Sequence, residues 1–282
     1  MLSVVTGDAA PLGTALTSDP RIRKLSFTGS TRVGKLLGAA CAATHMQRTS
    51  LELGGNAPFL VFDDADPEAA AAGALASKFR NSGQTCVCAN RFYVQDGIYE
   101  VFAAYFKAKI EALVLGDGAA QGVTLGPLIN SAAVAKCEAH VADALERGAR
   151  LVLGGKVSTL LGRTFFEPTL LVNVPPDSLI CREEVFGPVA ALVRFSTEEE
   201  ALRWANDSDA GLAAYVYTRD AGRLWRVGGA LEAGMVGLNS GNAAGCVAAP
   251  FGGVKGSGHG REGSRHGMAE YQEVKYLSMA VA

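Results

Sequence analysis

The sequence predicts an α/β protein with a largely parallel sheet, because short strand-like segments alternate with helix-like segments along the chain. A length of 282 residues allows a large buried core and two domains. Hydrophobic residues make up 49% of the chain and charged residues 19%, which is ordinary for a globular protein.

The predicted strands are short runs in which apolar and β-branched residues are frequent. In chain order they cover residues 25–28, 48–52, 59–62, 91–94, 151–153, 169–174, 213–217 and 235–238. The apolar run at 59–62 is typical of a buried strand, and the tail at 273–281 is predicted to be a terminal strand. The glycine-rich stretch at 252–263 is predicted to be a loop.

The predicted helices cover residues 32–43, 66–79, 98–113, 131–147, 198–206 and 221–231. The clearest helix start is Asp66-Pro67-Glu68. Asp caps a helix, Pro fits the first turn, and Glu favours the positive end of the helix dipole. This helix should run through an Ala-rich stretch to about Phe79, where the loop that carries Cys86 begins.

Composition argues against several classes of protein. A net charge of −2 without a basic block argues against a nucleic-acid partner. No apolar run approaches the roughly 20 residues of a membrane span, and the N-terminus lacks the pattern of a signal peptide. Six scattered cysteines suit a reducing compartment, so we predict a cytoplasmic protein, or a mitochondrial-matrix protein in a eukaryote. Neither the histidines nor the cysteines have metal-ligand spacing, so no metal site is predicted.

Cys86 is the first candidate for chemistry, because it lies on a glycine-containing turn between a helix-like and a strand-like segment. A carboxylate, Glu52, precedes it by 34 residues at the end of a strand. A thiol is a strong nucleophile only as the thiolate, so a cysteine with a carboxylate base suits attack on a carbonyl carbon. The alternative is that Cys86 is simply a small buried apolar residue, and Glu52 a solvated carboxylate.

Five sequence blocks set this pair in context: FTGSTRVG (27–34), LELGGN (51–56), GQTC (83–86), EEVFGPV (183–189) and PFGGVKGSGHGRE (250–262). In this order they resemble the aldehyde dehydrogenase superfamily, from Val4 to the C-terminus. The run FRNSGQTCVCANRFYVQ (79–95) is similar to the succinate-semialdehyde dehydrogenase branch. The resemblance implies a remnant of a Rossmann-type NAD(P)-binding domain (1–55), an α/β catalytic domain (56–255) and a tail with an oligomerisation strand (256–282).

The resemblance also implies a reaction. Cys86 would attack an aldehyde to give a thiohemiacetal, hydride would leave to NAD or NADP, and Glu52 would be the general base for hydrolysis of the thioester. Glu262 matches a residue implicated in proton relay. The expected substrate is succinate semialdehyde, an intermediate of GABA catabolism. Glutarate semialdehyde, or another ω-carboxy aldehyde, is the alternative substrate.

The expected cofactor site comes from three of the blocks. The GSTRVG turn is not the G-x-G-x-x-G fingerprint, but a helix N-terminus can bind phosphate or nicotinamide. The resemblance implies that Glu184 binds the nicotinamide ribose, that Phe186 contacts the nicotinamide ring, and that Gly34 permits close packing. The complete set of expected cofactor residues is Gly29, Ser30, Gly34, Leu53, Glu184 and Phe186.

Arg80 and Cys88 flank the nucleophile. A guanidinium can hold a carboxylate bidentately, and the resemblance gives Arg80 the distal carboxylate of the substrate. Cys88 is either a core residue or a resolving thiol that forms a disulfide with Cys86 under oxidation, as the resemblance implies. The loop at 241–249 departs from the succinate-semialdehyde branch, because a serine used there for the substrate has no clear match.

Against this family the chain is short at its N-terminal end. The resemblance begins late in the nucleotide-binding half, so the asparagine of the oxyanion hole has no counterpart. We expect a fragment, a late-starting gene model or a degenerate paralogue, with weak activity by itself and a homodimer or homotetramer in the full-length form. A non-catalytic aldehyde dehydrogenase-like subunit is the alternative from another functional class.

Overall fold

The computed structural model describes residues 2–243 and 245–281. The helices among them are α1 (Ala9–Ser18), α2 (Thr31–Thr44), α3 (Pro67–Lys78), α4 (Tyr99–Glu111), α5 (Ser131–Glu146), α6 (Leu179–Arg182), α7 (Glu198–Asn206), α8 (Ala221–Ala230) and α9 (Ser264–Ala269). The strands are β1 (Lys24–Thr28), β2 (Arg48–Glu52), β3 (Ala57–Val61), β4 (Ala89–Gln95), β5 (Arg150–Leu153), β6 (Thr169–Val172), β7 (Val189–Phe195), β8 (Ala210–Gly211), β9 (Ala213–Tyr217), β10 (Met235–Leu238), β11 (Val254–Lys255) and β12 (Gly258–His259).

The larger sheet has the strand order β10-β9-β3-β4-β7-β6-β5. Its neighbours are parallel except at one edge, where β5 runs antiparallel to β6. On β3, Phe59 and Val61 face a core shared with α3 and α4, whereas Leu60, together with Phe62 just after the strand, faces a core shared with α5, α7 and α8. Helices therefore cover both faces, as a mostly parallel sheet requires, and the predicted α/β fold class is confirmed.

A smaller sheet joins distant parts of the chain. Its order is β1-β2-β12, with β1 and β2 parallel and β12 antiparallel to β2. Because β12 comes from the glycine-rich stretch, this sheet combines the first and third of the predicted segments. The division after residues 55 and 255 stays a prediction, and Met1 and Ala282 at its outer ends lie outside the described residues.

Each predicted helix is present, and so is each predicted strand before residue 240, with ends that differ by a few residues. The terminal strand predicted for 273–281 does not form in the single chain: these residues are exposed and pair with no strand among the described residues. A strand needs a hydrogen-bonded neighbour, and none reaches this tail. The prediction of a loop at 252–263 was incomplete, because the short strands β11 and β12 form within this stretch.

None of the helices in the described part of the chain combines the length and the apolar character of a membrane span.

Candidate active site

The segment that carries Cys86 leaves α3 through a tight turn. Residues Arg80–Gly83 form a tight turn whose last three residues are in the left-handed region, with positive φ angles of 51°, 55° and 76°. Residues other than glycine adopt such angles rarely, so contacts must hold the turn. The Ser82 hydroxyl donates to the carbonyl of Gly126 at 2.8 Å, and the Gln84 side chain bonds the backbone of residues 127 and 129. The turn delivers Cys86 half-buried at its end.

Glu52 is the last residue of β2 and lies in the middle of the smaller sheet. It pairs with Thr28 of β1 on one side and with Gly258 of β12 on the other. The side chain is only 4% exposed, and Oε2 has no hydrogen-bond partner among the described residues. Burial, reinforced by the nearby Glu262 carboxylate and opposed by Arg261, raises the pKa of Glu52 to about 7. The carboxylate is therefore about half ionised near neutral pH.

Gly55 brings the Glu52 strand, the Cys86 turn and Glu184 together. A Cβ on Gly55 would lie 2.3 Å from the carbonyl oxygen of Cys86, so a larger residue would push the turn away. The backbone N–H of Gly55 donates to Glu184 Oε1 at 3.1 Å. Gly55, three residues after Glu52, thus contacts both the Cys86 turn and Glu184.

The Cys86 side chain rests as a protonated thiol. Burial and the Glu184 carboxylate, with a smaller effect of Glu52, raise the pKa of the Cys86 thiol. Burial also raises the pKa of Glu184. Because the thiolate is the reactive form, this arrangement needs a base near Cys86.

Four predicted cofactor residues lie where α2 meets the smaller sheet. The Ser30 hydroxyl caps α2 by accepting from the backbone N–H three residues on, at 3.4 Å. Gly29 N donates to the carbonyl of Glu52 at 3.0 Å, and Gly34 is buried directly against Leu53. The N-terminal end of α2 is thereby fixed beside β2, the strand that ends in Glu52.

The other two predicted cofactor residues approach from the segment after α6. Glu184 lines a cleft of about 190 Å³ that also includes Thr31 at the start of α2 and Gly55. Phe186 has a φ of 53° and is 38% exposed. The structure therefore places Glu184 opposite the N-terminus of α2, across one cleft.

Arg80 precedes Cys86 in the chain, and Cys88 follows it. Arg80 is exposed at the start of the turn and has no hydrogen-bond or ion-pair partner among the described residues. Cys88 is only 3% exposed, and burial raises the pKa of its thiol although Lys78 lowers it. Cys86 and Cys88 are both free thiols, and their redox pairing stays a prediction.

Glu262 and Arg261 end the glycine-rich stretch. Glu262 is exposed, and its backbone pairs with Phe251 in both directions, at 2.9 and 2.7 Å. One residue of the neighbouring substrate loop predicted at 241–249, Ala244, lies outside the described residues. No group of three or more His, Cys, Asp or Glu side chains that could hold a metal ion occurs in residues 2–243 and 245–281.

Sequence reasoning missed a buried polar relay beneath the site. Lys78, which is fully buried, donates to Asn90 Oδ1 at 2.8 Å, and Asn90 Nδ2 donates to Asn56 Oδ1 at 3.2 Å. Asn56 directly follows Gly55, so the relay ties the end of α3 to the central glycine. The available signal was helical spacing, since Lys78 falls on the buried face of α3 with Ala71 and Ala74.

Ser257 was also missed. Its hydroxyl donates to the carbonyl of Gly54 at 2.7 Å and accepts from the N–H of Gly211 at 2.9 Å. The carbonyl of Ser257 accepts from Leu53 N at 3.0 Å. Ser257 therefore fastens the end of β2 to β8, and no local sequence signal indicates a contact between segments so far apart.

Comparison with known proteins gives consistent matches over nearly the whole chain. The model of the aldehyde dehydrogenase family matches residues 1–277. The NADP(+) succinate-semialdehyde dehydrogenase GabD of Escherichia coli is 56% identical over 281 residues, which are 100% of this chain and 58% of that protein. A glutarate-semialdehyde dehydrogenase of Pseudomonas aeruginosa is 55% identical over 279 residues, 99% of this chain and 57% of that protein.

Among solved structures, the crystal structure of an Escherichia coli NADP-dependent enzyme matches with a TM-score of 0.96 and 56% identity. The match covers 98% of this chain and 57% of that one. The chain thus spans less than two thirds of the length of the relatives that it matches.

Proposed function

The chain belongs to the aldehyde dehydrogenase family, and from this premise we propose that it oxidises an aldehyde that carries a carboxylate at its far end. The proposed substrate is succinate semialdehyde and the proposed hydride acceptor is NAD or NADP. The observation that carries the proposal is that Gly55 contacts both the Cys86 turn and Glu184, while the Glu52 carboxylate lies close enough to raise the pKa of the Cys86 thiol. A nucleophile, a base of suitable pKa and a carboxylate that lines a cleft are the parts that the reaction needs.

In the proposed reaction, the Cys86 thiol transfers its proton to a base as its sulfur bonds to the aldehyde carbon, and a thiohemiacetal forms. The dinucleotide, when bound, would supply the acceptor for the hydride that leaves this carbon. The thioester that remains on Cys86 is hydrolysed by water, whose proton passes to Glu52. The backbone N–H of Cys86 is the proposed donor to the oxyanion. A pKa near 7 allows Glu52 to accept a proton at neutral pH and to release it again.

The chain's own residues fit a dinucleotide at this cleft. The N-terminus of α2 presents backbone N–H groups and the positive end of a helix dipole, and we propose that Gly29, Ser30 and Thr31 approach the cofactor there. Across the cleft, Glu184 uses one oxygen for Gly55 N, and its carboxylate is suited to accept from ribose hydroxyls. Phe186 would pack against the nicotinamide ring.

Arg80 is the proposed partner of the distal carboxylate, because it is an exposed guanidinium at the mouth of the nucleophile turn without an ion pair of its own. The relatives named for succinate semialdehyde and glutarate semialdehyde both act on aldehydes of this kind. Glutarate semialdehyde is therefore the second candidate substrate.

We also propose a cytoplasmic homo-oligomer. The tail exposes several apolar side chains, among them Val274, Tyr276 and Leu277, which are 100%, 86% and 81% exposed. Such a segment suits pairing with a second copy of the chain. We further propose that Glu262 relays protons and that Cys88 can form a disulfide with Cys86.

The test is a chimera in which this chain replaces the matching segment of the E. coli enzyme, assayed for NAD(P)H formation. We expect a higher kcat/KM for succinate semialdehyde than for butanal, its uncharged analogue, with glutarate semialdehyde assayed beside it. Cys86→Ala should abolish turnover, whereas Cys88→Ala, the matched control, should retain most of it. Loss of turnover in the Cys88 variant alone would refute the assignment of the nucleophile.

A further inference from the structure

The glycine-rich stretch forms a closed loop beside Glu52. Its two ends, Phe251 and Glu262, are joined by a reciprocal pair of backbone hydrogen bonds. Within the loop, Gly252 has a φ of +156°, and a Cβ there would lie 2.8 Å from Glu52 Oε1. The loop backbone is therefore one wall of the pocket that holds this carboxylate.

Arg261 spans the inside of this loop. Its Nη1 donates to the carbonyls of Gly253 at 2.9 Å and Gly260 at 2.8 Å, one near each end of the loop. Both acceptors are neutral, and Arg261 forms no ion pair with any described residue. Its Cδ would also lie 2.8 Å from the Cβ position on Gly252, so the Arg261 stem and the Glu52 carboxylate are neighbours across this glycine.

We propose that Arg261 is a positioning residue for Glu52: its guanidinium clasps the two ends of the glycine-rich loop and keeps an unpaired positive charge beside the Glu52 carboxylate. The proposal rests on the proposed function for its effect on turnover, because Glu52 has to be the base. Its effect on Glu52 itself does not depend on that function.

Several charged or titratable groups face Glu52. Glu262 and Arg261 approach from the glycine-rich loop, and Cys86 approaches from the nucleophile turn. On β12, which pairs with β2, the His259 ring is hydrogen-bonded to Thr49 at 2.8 Å. Thr28, the β1 neighbour of Glu52, carries no charge.

The positive charge of Arg261 thus lowers the pKa of Glu52, whereas burial and the Glu262 carboxylate raise it. Without Arg261, these two effects act unopposed and the pKa of Glu52 rises further. A rise of about one pH unit, the order expected for a nearby charge in a partly screened site, would lower the ionised fraction of Glu52 at pH 7 about five-fold.

The experiment measures the titration of Glu52 in the whole chain by NMR of ¹³Cδ-labelled glutamate, with the signal assigned by its absence from Glu52→Gln. Arg261→Gln removes the charge but keeps one donor for the loop, and it should raise the midpoint by about one pH unit. Arg261→Lys keeps the charge and should leave the midpoint near that of the parent chain. Arg265→Gln, which removes an exposed charge from α9, is the matched control and should change nothing.

An unchanged midpoint in Arg261→Gln would overturn the proposal. If that variant does not fold, Arg261→Lys decides: a parent-like midpoint supports the proposal, and a raised midpoint or an unfolded protein overturns it. In the chimera, the acid limb of the pH dependence of kcat should move with the midpoint. A midpoint that moves while this limb stays would uphold the action of Arg261 on Glu52 and refute Glu52 as the base.

Discussion

Glu52→Gln should stabilise the chain at alkaline pH and leave its stability almost unchanged at acid pH. The Glu52 side chain is nearly fully buried with one oxygen unpaired, and its pKa rises from 4.5 to about 7 on folding. The folded state therefore holds this proton more tightly than the unfolded state. The resulting stabilisation is complete below pH 4.5, is lost as the pH rises to 7, and is absent above.

The magnitude follows from this shift in pKa. Each unit is worth about 1.4 kcal/mol, so ionisation of Glu52 lowers the free energy of unfolding by about 3 kcal/mol between pH 4.5 and pH 8. Gln resembles the protonated carboxyl group and stays neutral at every pH. The variant should accordingly gain about 3 kcal/mol over the parent chain at pH 8, or roughly 5–10 °C in Tm, and almost nothing at pH 4.5.

The assay is urea unfolding followed by circular dichroism at pH 4.5 and pH 8, for the parent chain and Glu52→Gln. The control is Glu138→Gln, which removes an exposed carboxylate from α5 and should give equal differences at the two pH values. If Glu52→Gln also gave equal differences, the buried carboxylate would not be the cause, and the reasoning would be refuted. The same variant should accumulate acyl-enzyme in the chimera, because thioester hydrolysis loses its base.

Three further outcomes are expected. Gly55→Ala should displace the turn that carries Cys86, because the added Cβ would lie 2.3 Å from the Cys86 carbonyl oxygen. The rate of Cys86 alkylation by iodoacetamide should therefore change. An unchanged rate would show that this contact does not position the turn. His140 is buried, and its pKa falls to about 4 from 6.5 because of burial, so the unfolded state takes up a proton first as the pH drops. Acidification from pH 6.5 to pH 4 should therefore lower the free energy of unfolding by about 3 kcal/mol, and His140→Leu should lose this part of the acid sensitivity in urea unfolding at pH 7 and pH 4. Arg80→Ala in the chimera should lower kcat/KM for succinate semialdehyde by roughly one to two decades and leave butanal almost unaffected, whereas equal losses on both substrates would make Arg80 a structural residue.

The elements that the sequence predicts well are those whose signal is local. The Asp66 cap, the Pro at the helix start and the Ala-rich face specify α3, and the structure shows Asp66 accepting from two backbone N–H groups there. In contrast, β7 was missed, although it lies between β4 and β6 in the larger sheet. Its run VAALVRF is apolar without a period, so only its sheet neighbours show that it is a strand.

The same distinction holds in the candidate site. Cys86, Glu52 and Glu184 stand in recognisable motifs, and the structure joins the Cys86 turn and Glu184 at Gly55, three residues after Glu52. Ser257 bonds to Gly54, and Arg261 neighbours Glu52 across Gly252; both contacts join segments far apart in the chain, which no single-sequence pattern contains. The tail at 273–281 shows the opposite case. Its sequence predicts a strand, but the single chain provides no partner strand for it among the described residues.

The smaller sheet has its longer edge strand at β1. β12 pairs with one side of β2, and β1 pairs with the other. Because β1 pairs with no further strand among the described residues, the outward N–H and C=O groups of Lys24–Thr28 are available for pairing. Amide protons on this outward side should exchange with deuterium sooner than those of Leu51 and Glu52, where β2 has a neighbouring strand on both sides. An additional strand that docks there, whether from the same polypeptide or another, would extend a sheet whose middle strand ends in Glu52.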